Sequence, residues 1–482
     1  MSVVFSAPAD WLHPLTPEEI ARIHRAAVQV LEEVGLEVDN PVALQMLARA
    51  GVRTEGQRAH FEPPLVEEQL ASLRRLQEPV PARPSSQDLS IGIGDMCQHY
   101  HSPVTDAIEP MTTANLVEAT RSVETLRALG LRGNVPGIPA DVPPQLQALV
   151  TYRVGAEFLS AGGGAHTLHP PEALPYLFDM AEALGRPIRG MGIFPVSPLR
   201  LAGFEFDTLV EHISRWERFS VTTLPAVGAS APIHPRAAWV LSTAEALGAA
   251  VTLHLISGGK PVGINICMYP FDLRTLTIVG GAPELAWMRW IGAQLSRHYD
   301  AEAGYATILG TQAKRPGLQA GMEKALSGAF AVLTGCTHLD YAGVLSYDDI
   351  FSPEQAVADI ELRDALQHLS RGLPPDDPNR WVEEIREGLT RGYVEADSTL
   401  DHYREVYWLP RVLDRTSWHS FQAEGGRTAR QRARDEALSR LACYAFTPPE
   451  GIEEVRRIFS QAWRTLGGDP QAGYLALLEN NG

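Results

Sequence analysis

Apolar residues recur at helical spacing near the start of this chain. In the segment 15–35, LTPEEIARIHRAAVQVLEEVG, residues Ile20, Ile23, Ala27, Val30, Leu31 and Val34 fall on one face, which predicts a helix with a single buried stripe. Thr16, with Pro17 at the first helical position and Glu19 three residues on, has the form of a capping box, and Gly35 ends the run. Val42 to Ala50 predicts a second helix, stopped by Gly51. Residues 1–90 therefore read as an N-terminal helical cap, closed by the Pro-rich linker EPVPARPSS.

From residue 128 the period changes. Short strand-like runs alternate with helices of ten or more residues, as βαβ units do. The predicted strands are Leu131–Ile138, Gly162–Leu168, Ile188–Val196, Val221–Val227, Val262–Tyr269, Ala303–Leu309 and Leu339–Leu345. The predicted helices are Pro144–Leu159, Glu172–Leu184, Asp207–Arg218, Arg236–Ile256, Pro283–Tyr299, Leu318–Leu333 and Pro353–Leu369. An eighth strand would come from Gln98–Ile108 or from the stretch around Gly392–Ala396. No GxGxxG opens a helix, and this many units suits a closed TIM (β/α)8 barrel, assigned to residues 91–396, better than an open sheet. Beyond it, His402–Trp408, Arg427–Ala442 and Gly451–Leu466 predict helices, so residues 397–482 read as a C-terminal helical layer packed on the barrel.

Composition narrows the function classes. The net charge of −17, from 58 acidic and 41 basic residues, disfavours nucleic acid as a partner. No stretch predicts a membrane span or a signal peptide, which leads us to expect a cytoplasmic protein. Cys97, Cys267, Cys336 and Cys443 show no CxxC spacing, which argues against a disulfide framework or a zinc ribbon; no metal is expected.

In a barrel the reacting groups sit at the C-terminal ends of strands, and that rule selects the candidates. His166 and His169 lie near the end of the second predicted strand, placed to bind a substrate carboxylate or move a proton. Asn265, Cys267 and Tyr269 share one face of the fifth by period-two alternation, with Asn265 the polar member. The loop and helix GTQAKRPGLQAGMEKALSG, residues 310–328, place Gln319 and Glu323 on one helical face near a positive helix N-terminus, with Gln312 and Lys314 preceding them. Glu323 could there balance a cationic ligand. After the seventh strand, Tyr341 and Tyr347 could surround a quaternary ammonium by cation–π attraction. His99, Tyr100 and His101 form a further polar and aromatic cluster.

Several stretches together resemble the trimethylamine methyltransferase family, whose pyrrolysine-lacking members include glycine betaine corrinoid methyltransferases. They are ARIHRAAVQVLEEVGLEVDNPVALQMLARAGVR, GTQAK with LQAGMEKAL, SPEQAVADIELRD, and DHYREVYWLPRVLDRTSW, in order from residue 15 to 440. The resemblance implies a TIM barrel that takes a methyl group from a methylated amine and hands it to the Co(I) centre of a separate corrinoid protein. The cobalamin would belong to that partner, with no cofactor bound directly, and identical chains would associate. Pyrrolysine is absent, which favours a quaternary amine such as glycine betaine over trimethylamine. Gln312 and Gly317 stand where family members are expected to carry Asp. The alternatives are a diverged barrel that binds methylated amines without transferring methyl, and an unrelated barrel lyase or hydrolase.

Overall fold

The computed structural model describes residues 15–76, 89–163, 170–300, 304–372 and 374–469. The first helix, Pro17–Glu33, carries the predicted capping box at Thr16, and its apolar face packs on the 22-residue helix Pro235–Ile256. That second helix is long and apolar enough to cross a membrane, but 83% of its most apolar window is buried inside the protein, as in a core helix.

Two parallel sheets form the middle of the molecule. In one, Ala306–Ile308, His338–Ala342, Ser90–Ile93 and Leu131–Arg132 lie side by side. In the other, Gly190–Ile193, Arg218–Thr222 and Val262–Asn265 do the same. The sheets share one pattern of faces. Ile91, Leu339, Met191, Phe219, Val221, Val262 and Ile264 are buried, with helices packed around the sheets. The alternate positions carry Ser90, Gly92, His338 and Asp340 in the first sheet, and Gly190, Gly192, Ser220, Gly263 and Asn265 in the second. Arg132, Arg218 and Ile308 share this face, which is polar for the most part.

Helix bounds match the sequence reading where a proline opens the helix or a long apolar stripe defines it. Pro283–Tyr299 and Leu318–Leu333 coincide with the prediction, and Pro353–Arg371 runs two residues longer. Four expectations need correction. The strand at the edge of the Pro-rich linker, Ser90–Ile93, joins the parallel sheet, whereas within Gln98–Ile108 the three-residue strand His99–His101 lies in a separate sheet, antiparallel to Ile108–Pro110 and parallel to Ile350–Phe351, and Gly392–Ala396 is a turn. The first ninety residues are not all helical: Leu36–Val38, Arg53–Glu55 and Arg58–His60 form a small sheet. The helix expected over Asp207–Arg218 is Phe204–Glu211, and Arg218 opens a strand. Val221–Val227 and Val262–Tyr269 are each split, with Ala226–Val227 and Tyr269–Asp272 paired in another sheet. Most of the predicted strand Gly162–Leu168 lies outside the described residues.

One buried ion pair fastens the helices Leu318–Leu333 and Pro353–Arg371 together. Lys324 Nζ donates to Asp359 Oδ2 at 2.6 Å, and both side chains are almost fully buried. Gln355 Nε2 and the Gly343 N–H, each at 2.8 Å, satisfy the remaining acceptor capacity of Asp359. Burial pushes the Lys324 ammonium down and the Asp359 carboxyl up, so each charge depends on its partner.

Candidate active site

The strands Ala306–Ile308 and His338–Ala342 run parallel, and the loops that follow them are bonded to each other. Tyr347 N–H donates to Thr311 O at 2.7 Å, and Ser346 N–H to Ala313 O at 2.8 Å. Tyr341, Ser346 and Tyr347 adopt positive φ values of 68°, 53° and 70°, a conformation costing a non-glycine residue roughly 1–3 kcal/mol. At Tyr341 the strand register shifts between Leu339 and Ala342, a bulge of the kind that re-aims a side chain.

The redirected side chains meet a third tyrosine. The Tyr347 ring stands edge-on to Tyr269 with centroids 5.8 Å apart, and Tyr341 lies 6.4 Å from Tyr347. Leu224, Ile278, Leu285 and Ile308 supply the apolar surroundings. Behind Tyr269, the Arg289 guanidinium lies 4.6 Å from the ring centroid; it donates to the Tyr269 hydroxyl and, at 3.1 Å, to Cys267 Sγ. Cys267 in turn donates to Asn265 Oδ1, whose amide reaches Thr222. Burial pushes the phenols of Tyr269, Tyr341 and Tyr347 up, so all three are neutral rings with intact π faces at neutral pH.

A carboxylate is held beside this cluster. Glu323 accepts from the Thr311 hydroxyl, from Gln312 N–H at 2.8 Å and from Gln319 Nε2 at 3.0 Å. Three groups thus converge on its two oxygens. Two adjacent glycines let it come close: a Cβ at Gly281 would lie 2.3 Å from the Glu323 carboxylate, and one at Gly280 would lie 2.8 Å from the Tyr347 ring. The same loop therefore touches both the carboxylate and the aromatic cluster. Gln312 Nε2 donates to Ile278 O at 2.9 Å, and its Oε1 is buried without a partner among the described residues.

A family model described as trimethylamine methyltransferase (MTTB) matches residues 4–455. The chain belongs to the trimethylamine methyltransferase family. It is 25% identical over 457 residues to the trimethylamine methyltransferase MttB of Desulfitobacterium hafniense, covering 91% of this chain and 92% of that one. It is 24% identical over 471 residues to the glycine betaine methyltransferase of the same species, covering 94% and 98%. The monomethylamine methyltransferase MtmB of Methanosarcina barkeri superposes with a TM-score of 0.45 at 9% identity, over 91% of this chain and 94% of that chain.

In this family member Gln312, Gln319 and Glu323 form one bonded group, and Tyr341 and Tyr347 form one aromatic group beside it. Asn265 connects to the aromatic group through Cys267 and Arg289. His99 bonds Asp349, two residues past Tyr347, at 2.9 Å. His166 and His169 lie outside the described residues. Sequence reasoning missed the part played by Tyr269, Arg289 and Thr311. The alternation that linked Tyr269 with Asn265 does not hold, since one strand ends at Asn265 and Tyr269 opens another, and Arg289, on the helix Pro283–Tyr299, carried no local signal. Cys336 bonds the carbonyls of Tyr305 and His338, and Cys267 bonds elsewhere, so the two thiols do not converge. His101, Asp106 and Glu354 have the spacing of metal ligands, but the Arg430 guanidinium already bridges both carboxylates.

Proposed function

We propose that this family member takes a methyl group from a quaternary amine, glycine betaine or a related betaine, and passes it to the Co(I) centre of a separate corrinoid protein. The observation that carries this reading is the joint placement of three neutral tyrosine rings and the Glu323 carboxylate around the Gly280–Gly281 loop. A quaternary ammonium has no N–H to donate, so it is recognised by charge and shape. Aromatic faces contribute about 2 kcal/mol or more to such a cation once it is desolvated, and a fixed carboxylate adds long-range attraction. The apolar side chains of Leu224, Leu285 and Ile308 exclude water from the same space.

The two parallel sheets read as arcs of one TIM barrel, with Ser90–Ile93 as its first strand. The site then stands at the C-terminal ends of the strands, as the barrel rule requires. The corrinoid supplies a strongly nucleophilic cobalt, needed because an amine is a poor leaving group. The tyrosines hold the ammonium so that one methyl faces the acceptor, Glu323 balances the positive charge until the C–N bond breaks, and the apolar walls keep water from the methyl carbon; the gain is chiefly positional. Gln312, at a position where relatives are expected to carry Asp, keeps its backbone N–H on Glu323 and leaves Glu323 as the carboxylate of the site.

The recognition step is tested by calorimetry with glycine betaine and 3,3-dimethylbutanoate, the isostere in which carbon replaces the ammonium nitrogen. The reading predicts binding of the betaine and at least tenfold weaker binding of the isostere. Equal affinity for both would refute a cation site.

A further inference from the structure

Beyond the helix Pro353–Arg371 the chain runs through exposed positions and then comes back to the same helix. Glu361, a buried carboxylate of that helix, fixes the return by accepting the backbone N–H groups of Arg411, Val412 and Leu413 at 2.8, 3.0 and 3.2 Å. Between these ends lie two short helices, Trp381–Arg391 and Asp397–Val406. They form an arm with contacts of its own. The Tyr393 ring covers Gly388 so closely that a Cβ there would clash with it, and the Tyr393 hydroxyl donates to Ile385 O at 3.3 Å.

Both helices are amphipathic, and their apolar faces are bare. Trp381, Val382, Ile385 and Leu389 share one face of the first, with Glu383, Glu384, Arg386 and Glu387 on the other. Leu400, Tyr403 and Tyr407 share one side of the second and of its C-terminal end, the two rings 5.6 Å apart. Leu389 is 78% exposed and Leu400 68%, and Gly388 is the one buried residue of the two helices. Helices of 11 and 10 residues are marginal by themselves and owe their stability to packing of the apolar face. Something therefore covers this face. With Tyr393 and Val394, which are also exposed, the side chains offer on the order of 1,000 Å² of apolar surface, more than a soluble monomer leaves open in one patch.

We propose that this arm is where two copies of the chain associate, each arm covering the apolar face of the other. A stable interface takes about 800 Å² from each partner, and the arm supplies that from both sides with no other contribution. An isologous contact needs a face that matches itself. Here aromatic rings and aliphatic side chains alternate along the face, and its rim carries both signs, Glu383 and Glu387 beside Arg386 and Arg391, so identical rims can pair. A partner that binds and leaves at every turnover would uncover the face each time, whereas a second copy keeps it covered. The inference holds whichever amine the enzyme takes.

The test is sedimentation velocity of the full chain across a dilution series, with hydrogen–deuterium exchange read on the arm. The parent should sediment as a dimer or a multiple of one, with both arm helices protected. Leu389→Glu and Leu400→Glu change exposed positions of different helices, so the body of the protein should fold as before. Each should raise the dissociation constant at least tenfold and speed exchange in both helices, leaving exchange elsewhere unchanged. A monomeric parent would overturn the proposal, as would an oligomer that both variants leave intact. Protection of the arm that disappears only when residues 470–482 are removed would overturn it as well, and would assign the face to that segment of the same chain.

Discussion

At the scale of single residues, the account makes Glu323 a charge and Gln319 its fixed donor. Glu323→Gln keeps the shape and removes the charge, so methyl transfer should fall at least tenfold while the unfolding midpoint in urea shifts little. Gln319→Ala should lower transfer less, since Thr311 and the Gln312 backbone still hold the carboxylate. Unaltered turnover in both variants would remove this helix from the site. For the aromatic group, Tyr347→Phe should bind glycine betaine almost as the parent does, whereas Tyr347→Leu should weaken it by a factor of about 10–30, the equivalent of roughly 2 kcal/mol. Equal weakening in both would point to the hydroxyl and away from the π face. The spacing of Gln319 and Glu323 was visible in the sequence because four residues make one helical turn. The strained turn at Ser346–Tyr347 was not, because nothing in the residue types calls for positive φ there.

At the scale of elements, the helices were the most legible part of the chain, since proline starts and apolar stripes act locally. The short strands were not. Ser90–Ile93 directly follows a Pro-rich stretch and contains one glycine, and it becomes a strand because His338–Ala342 and Leu131–Arg132 supply partners distant in sequence. Two predictions belong here. Lys324→Met alone strands Asp359 as an unpaired buried charge and should cost about 3–5 kcal/mol in urea unfolding; adding Asp359→Asn should recover much of it. A single variant as stable as the parent would show the pair to be unimportant. On the core helix, burial raises Glu245 to about 7 although Leu199 N–H and Ser197 donate to it. The folded state then keeps a proton that the unfolded chain has released between about pH 4.5 and 7. The stability this contributes is full below pH 4.5 and is lost as pH rises through about 7. Glu245→Gln should remove a loss of about 3 kcal/mol from the pH profile; an identical profile in the variant would contradict the assignment.

At the scale of the whole molecule, the sequence made the alternation of strands and helices countable, and family resemblance connected it with methyl transfer. What it could not reveal was the convergence of Tyr269 and Arg289, separated by one strand-to-helix step, with Tyr341 and Tyr347 from a later unit. Such convergence depends on the order of strands in space. The largely polar face of both sheets is likewise a pattern across strands, visible only once their register is known. Both features bear on one claim, that a methylated ammonium held by the tyrosines gives its methyl to an external corrinoid. The most direct measurement is incubation of the protein with a reduced corrinoid protein and a panel of betaines and methylamines, followed through the absorbance of methyl-cobalt. The account predicts its appearance with at least one quaternary amine and its loss in Glu323→Gln; no methyl-cobalt across the whole panel would contradict it.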